Sequence, residues 1–218
     1  MSQKMNRRDF LKVGCGVGIT AVLACGGLTV LAAQTPSAPL IDTQIKGTRS
    51  TKKVLVAYAT RAGSTVQVAQ TIAQTLSAVS ARVDVRPLTN VTDLTGYDAV
   101  VIGSAIRIGK WLPEAVDFVK TNQAALARVP TAYFLVSAFM RNDTPETRQK
   151  AQTYLDPVRQ ILEPKSVGLF GGRMDYASLS MIDHLVVTSV AKVPEGDWRD
   201  WNKIRAWAEG LYPTFTEK

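Results

Sequence analysis

The chain has 218 residues, with 26 lysines and arginines against 18 aspartates and glutamates, for a formal net charge of +8. Its two cysteines, Cys15 and Cys25, lie near the start and its one histidine is His184, which excludes a disulfide scaffold, thiol chemistry in the body of the chain and a histidine-rich metal site. Redox chemistry in such a chain falls to a bound organic cofactor.

The first segment, Asn6-Arg7-Arg8-Asp9-Phe10-Leu11-Lys12, resembles a twin-arginine export signal. The 21 residues from Val13 to Ala33 carry no charge. As a helix they would span ~31 Å, enough to cross a bilayer core. Three fates are open: an uncleaved anchor, lipidation of Cys25 within Val22-Leu23-Ala24-Cys25-Gly26, or cleavage near Ala32 or Ala33. The first two keep the protein at a membrane and are the expectation. Residues 34–51 are rich in Thr, Ser, Pro and Gly without periodicity and read as a linker to one domain over 52–218. Without residues 1–33 the charge is still +5, 22 basic residues against 17 acidic ones. A basic domain tethered in this way is drawn to the anionic membrane surface. Nucleic acid is not an expected partner, because the basic residues are scattered.

Val54 to Tyr58 is an apolar run with β-branched residues, as in a central parallel strand covered on both faces. Val66, Ala69, Ile72, Ala73 and Leu76 then recur at helical spacing. Between them, Thr60-Arg61-Ala62-Gly63-Ser64-Thr65 sets three hydroxyls, a glycine and free amides at a helix N-terminus, an arrangement that suits phosphate. The alternative is that Ser64 or Thr65 merely caps the helix and Gly63 merely permits the turn. No lysine follows the glycine and no G-x-G-x-x-G is present, so neither a nucleoside triphosphate loop nor a dinucleotide fingerprint is read here. A monophosphate fits better.

Strand and helix patterns continue to alternate: strands over 83–88, 98–103, 131–137 and 166–170, helices over 112–126, 145–162 and 198–211. Pro113 is tolerated in a first helical turn, and Asp143 and Thr144 are cap candidates. The alternation argues for an α/β fold, a doubly wound five-stranded parallel sheet; the order chosen among those open to it is the flavodoxin-like 2-1-3-4-5, with its ligand beside strands 1 and 3. The connection from Gly171 to Gly196 is too long for a simple loop. Within it, Leu179 to Ala191 reads as a helix with a wide apolar surface, one that either packs on the sheet or receives a lipophilic molecule or membrane.

Residues 53–211 resemble the flavodoxin superfamily, whose phosphate loop T-x-x-G-x-T is matched by Thr60, Gly63 and Thr65. They are more similar still to its menaquinone-dependent protoporphyrinogen IX dehydrogenase branch. S/A-T-R-x-G-x-T is matched by Ala59 to Thr65, V-I-G-[AS]-[AS]-I-R-x-G by Val101 to Gly109, and the start of the last helix by Asp197-Trp198-Arg199-Asp200-Trp201. The resemblance implies FMN as cofactor and a quinone as electron acceptor. It also implies that Thr60, Arg61, Ala62, Gly63, Ser64 and Thr65 hold the FMN phosphate. Ser104, Ala105, Ile106, Arg107, Gly109 and Trp111 would lie against the flavin ring, with Ser137, Ala138 and Phe139 on its other side. Trp111 and Phe139 are stacking candidates. Arg173 is a candidate for a substrate carboxylate, Tyr176 for the flavin border, and His184 for either a surface histidine or a proton relay. The expected function is an exported FMN oxidoreductase passing electrons from its substrate to a quinone; the alternative is a flavodoxin-like electron carrier.

Overall fold

Largely apolar strands form the middle of the sheet, buried from Val54 to Ala59 and from Thr131 to Ser137. The computed structural model describes residues 39–47, 52–78, 82–178, 184–191 and 193–216. The export segment, most of the expected linker, and residues 179–183 with Asp183 lie outside them. Nine strands are present among the described residues: β1 (Thr43–Lys46), β2 (Lys53–Ala59), β3 (Arg82–Pro87), β4 (Ala99–Arg107), β5 (Lys110–Trp111), β6 (Thr131–Ser137), β7 (Ser166–Gly171), β8 (Arg173–Met174) and β9 (Gly196–Asp197). The main sheet runs β1-β3-β2-β4-β6-β7. From β3 to β7 every pairing is parallel. Counted over these five strands the order is 2-1-3-4-5, the order chosen from the sequence.

Helices α1 (Ser64–Ser77) and α6 (Trp201–Thr216) cover one face, where Val54, Val56 and Tyr58 meet Val66, Ala69, Ile72, Ile204 and Ala208. The other face carries α2 (Pro113–Thr121), α3 (Gln123–Leu126), α4 (Pro145–Thr153) and α5 (Asp156–Arg159); there Leu55, Ala57 and Ile102 meet Ala115, Phe118, Leu155 and Val158. The chain leaves β2 for β3 on one side and returns to β4 on the other, so the switch point lies between β2 and β4.

Several elements depart from the sequence reading. Residues 43–46, assigned to the linker, form the antiparallel edge strand β1 on β3. The segment before it is fastened at Tyr58, whose hydroxyl accepts from Ile41 N (2.7 Å) and donates to Ile41 O (2.9 Å). The expected helix over 112–126 breaks at Asn122, where the side-chain amide donates to Phe118 O (2.9 Å) and competes with the helical ladder. The helix expected over 145–162 ends at Thr153 and restarts at Asp156, because Pro157 supplies no N–H. Thr144, one of the two cap candidates, makes a reciprocal cap with Thr147.

Gly103 belongs to a motif that the resemblance associates with the flavin, yet its reason here is packing. It pairs with Phe134 across β4 and β6, and an added Cβ would stand 1.9 Å from the buried Phe134 ring. Replacing Gly103 by alanine is expected to destabilise the fold by about 1–3 kcal/mol. An unchanged urea midpoint would contradict this packing account.

Candidate functional site

Loops from the carboxyl ends of β2, β4 and β6 close around a cavity of about 570 Å³. The first loop contributes Arg61, Ala62 and Ser64, the second Ala105, Ile106, Arg107 and Gly109, and the third Ser137, Ala138 and Phe139. Ten of the fifteen residues expected from sequence therefore share one wall. A recess of about 270 Å³ shares Ala62, Ser64 and Arg173 with it and adds Gly63, Pro39 and Ile41. Thus part of the presumed linker borders the phosphate loop.

Gly63 turns the chain into α1 with φ 84°, in the left-handed region where a side chain is strained. Its N–H donates to Thr60 Oγ1 (3.0 Å), so the Thr60 hydroxyl braces the loop. No side chain caps α1, and its first turn holds no acidic residue. The capping role weighed for Ser64 and Thr65 is thus not what they do. Val66 N, the third amide of the helix, donates to Gly63 O (3.1 Å), and the helix dipole favours an anion at its start. The Thr65 hydroxyl is fully buried and has no hydrogen-bond partner in the protein.

The second loop is a tight hairpin in which β5 pairs back on β4, Ile106 opposite Trp111 and Arg107 opposite Lys110. Ser104 pins it from below: its buried hydroxyl accepts from Leu112 N (3.0 Å) and donates to Ala105 O (2.8 Å). Trp111 is 3% exposed and packs edge-on against Tyr133, ring centroids 5.3 Å apart. Its indole is part of the core and off the cavity wall, so the stacking role expected for it is corrected to anchoring the hairpin. In the third loop Phe139 N donates to Ser137 Oγ (3.1 Å), and the half-exposed Phe139 ring stands edge-on to Tyr154 at 6.0 Å. Phe139 keeps its candidacy as a ring neighbour.

Sequence reasoning missed Ile108, Tyr154 and Gly172 on this wall. Ile108 sits at the hairpin tip with φ 51° and 80% exposure, and an Ile-Gly turn gives no Asn-Gly or Asp-Gly signal. Gly109 lies close over Tyr154, and a Cβ there would come 3.3 Å from its ring. Gly172 brings the backbone after β7 against the end of β6, where a Cβ would stand 3.3 Å from Val136. Val187, in the π-helical segment Val186–Ala191, and Val193 also line the cavity. His184 is exposed and meets Tyr176 edge-on at 5.1 Å, while the Tyr176 hydroxyl donates to Val193 O (2.7 Å). Neither ring lines the cavity, so both act in holding this long connection closed.

The wall carries four arginines, Arg61, Arg107, Arg141 and Arg173, and among the described residues no carboxylate, histidine, lysine or thiol. Arg61 pairs with Glu114 (3.2 Å) and Arg173 with Asp175 (2.6 Å). Burial pushes the Tyr154 phenol above its usual range, so it stays protonated. No group on the wall is placed as a base. Nor do the described residues hold a cluster of three or more acidic, histidine or cysteine side chains fit for a metal ion. FMN fits these residues: the bare start of α1 and the orphaned Thr65 hydroxyl for phosphate, loop amides for the polar ring edge, and Ile106, Val136, Phe139 and Met174 for the ring faces.

Thr65→Val tests that fit with opposite signs in two measurements. Removing a buried, unpaired hydroxyl is expected to stabilise the ligand-free chain by about 1 kcal/mol. The same change should weaken FMN binding about tenfold, as a lost hydrogen bond to a charged group would. A variant less stable without ligand, or one with unaltered affinity, would remove Thr65 from the site.

The flavodoxin domain family matches residues 55–200. The protoporphyrinogen IX dehydrogenase [quinone] of Leishmania major is 27% identical over 170 residues, 72% of this chain and 73% of that protein. The protein of the same name from Escherichia coli strain K12 is 25% identical over 172 residues, covering 73% of this chain and 94% of its own length. Among solved structures, a flavodoxin from the domain Archaea aligns at 15% identity with a TM-score of 0.43, over 76% of this chain and 99% of that one. With well over half of its length matched, the chain belongs to the flavodoxin domain family, and FMN is its cofactor.

Proposed function

We propose that the protein is an exported, membrane-associated FMN oxidoreductase that oxidises protoporphyrinogen IX and passes the electrons to a quinone. The observation that carries the reading is the cavity wall, which offers four arginines and apolar surface but, among the described residues, no carboxylate, histidine, lysine or thiol. Bound there, FMN would supply the electron-transfer chemistry that links the substrate to the acceptor. The chain's own part is to bind and orient. The start of α1 and the Thr65 hydroxyl hold the phosphate, the hairpin at Arg107–Lys110 and the turn at Ala138–Arg141 border the ring, and Val187 and Val193 restrict water. Distant likeness to two quinone-linked protoporphyrinogen IX dehydrogenases supports this substrate and acceptor.

The full chain, purified in detergent, should show a flavin band after FMN is added. Stopped-flow mixing with protoporphyrinogen IX should then bleach it, and a menaquinone analogue should restore it. Bound flavin without turnover would overturn the dehydrogenase reading and leave a flavin electron carrier. Export rests on Arg7 and Arg8. Changing both to lysine is expected to retain the protein in the cytoplasmic fraction, and unchanged fractionation would overturn the twin-arginine route.

A further inference from the structure

The four arginines of the cavity divide by position. Arg61 belongs to the phosphate loop, and Arg173 borders the recess lined by Ala62, Gly63 and Ser64, so both stand at the phosphate end. Each is paired with a carboxylate, Glu114 and Asp175 respectively, which offsets its charge. Arg107 ends β4 and Arg141 ends the turn after β6, on the loops left for the ring. The acidic residue closest to Arg141 in sequence, Asp143, is engaged by Arg148 (2.5 Å) and Lys203 (2.7 Å). The wall beside them is apolar, with Ile106, Leu112, Val136 and Met174.

We infer that Arg107 and Arg141 set the reduction potential of the bound flavin by favouring its anionic, two-electron-reduced form. The inference rests on the FMN reading above. Uptake of two electrons and one proton adds one negative charge to the ring. A guanidinium beside the ring stabilises that charge and has no comparable hold on the neutral oxidised ring. Both side chains are exposed, so the effect of each is the modest one of a solvent-screened charge. Charge at the phosphate end acts alike on both redox states, because the phosphate is anionic in both. The two pairs of arginines thus divide affinity from potential.

The test is a dithionite titration of the FMN-loaded full chain against a reference dye, with the oxidised affinity read separately by flavin fluorescence. Reduced FMN is expected to bind at least about tenfold more tightly than oxidised FMN, which puts the bound potential about 30 mV above that of free FMN for a two-electron couple. Arg107→Gln and Arg141→Gln should each lower that ratio about threefold, the scale of a partly exposed charge pair. Arg173→Gln should weaken both redox states together and leave the potential in place. As a measurement free of any variant, raising salt should move the wild-type potential toward that of free FMN. A wild-type potential at or below that of free FMN overturns the inference, as does an unchanged ratio in Arg107→Gln and Arg141→Gln. Failure of FMN to bind at all shows in the fluorescence titration and overturns the cofactor reading with it.

Discussion

The constraint on which the rest of the molecule depends is that its central sheet is dry on both faces. All seven residues of β6 are buried, as are six of seven in β2, and separate apolar clusters press on them from either side. Each large side chain such as Leu55 or Ile102 contributes about 1.5–3 kcal/mol by burial. An unpaired polar group on either face would cost a comparable amount or more. Polar function is therefore displaced to the strand ends. The switch point between β2 and β4 then selects which end, since only there do the connecting loops diverge and leave a crevice.

The start of α1 differs from those of the helices around it. Asp200 caps α6 by accepting from Asn202 N and Lys203 N, both at 3.1 Å. Thr144 caps α4, whose first turn holds Glu146, and Glu114 lies in the first turn of α2. α4 and α6 thus satisfy first amides with a side chain, whereas α2, like α1, has no side-chain cap. α1 also lacks an acidic residue in its first turn, and it buries the Thr65 hydroxyl besides. A fourteen-residue helix that starts with neither a side-chain cap nor an acidic residue, beside a buried unpaired hydroxyl, suits an anion.

Much of this architecture was readable from sequence because its signals are local. The strand over 131–137 was placed to the residue, since an unbroken apolar run between polar neighbours admits few alternatives. The turn at Gly63 was readable because a glycine among hydroxyls stands between a buried strand and a periodic helix, while its reading as a phosphate loop leaned on the family likeness. What escaped depends on distant partners. β1 spans only four residues of alternating exposure, and its partner β3 lies some forty residues on. Trp111 was assigned by its residue type and its loop, but which side of a hairpin a residue faces is set by the register with Ile106. Tyr154 reaches the wall because a helix breaks near it, and helix ends are poorly marked without a glycine or an early proline.

The motifs that carry the family likeness divide unequally between chemistry and scaffold. Gly103 makes room for Phe134. In the last motif, Arg199 joins Asp197 and Gln67 while lying 4.7 Å over the Trp201 ring, and Asp200 caps α6. That cluster ties α6 to α1 and to the β8–β9 ribbon, and its Arg199 borders the recess beside Gly63 and Ser64. Shared motifs of this kind secure the fold and the cofactor's seat. They say much less about what meets the open side of the flavin. The wall there includes Gly172, Met174, Val187 and Val193, all from the long connection between β7 and α6. Because the other loops already supply the phosphate site and the ring edges, this connection is the part of the wall free to be shaped by substrate. What meets the flavin there is shaped by the described residues among 172–178, 184–191 and 193, outside the three short motifs that carry the likeness.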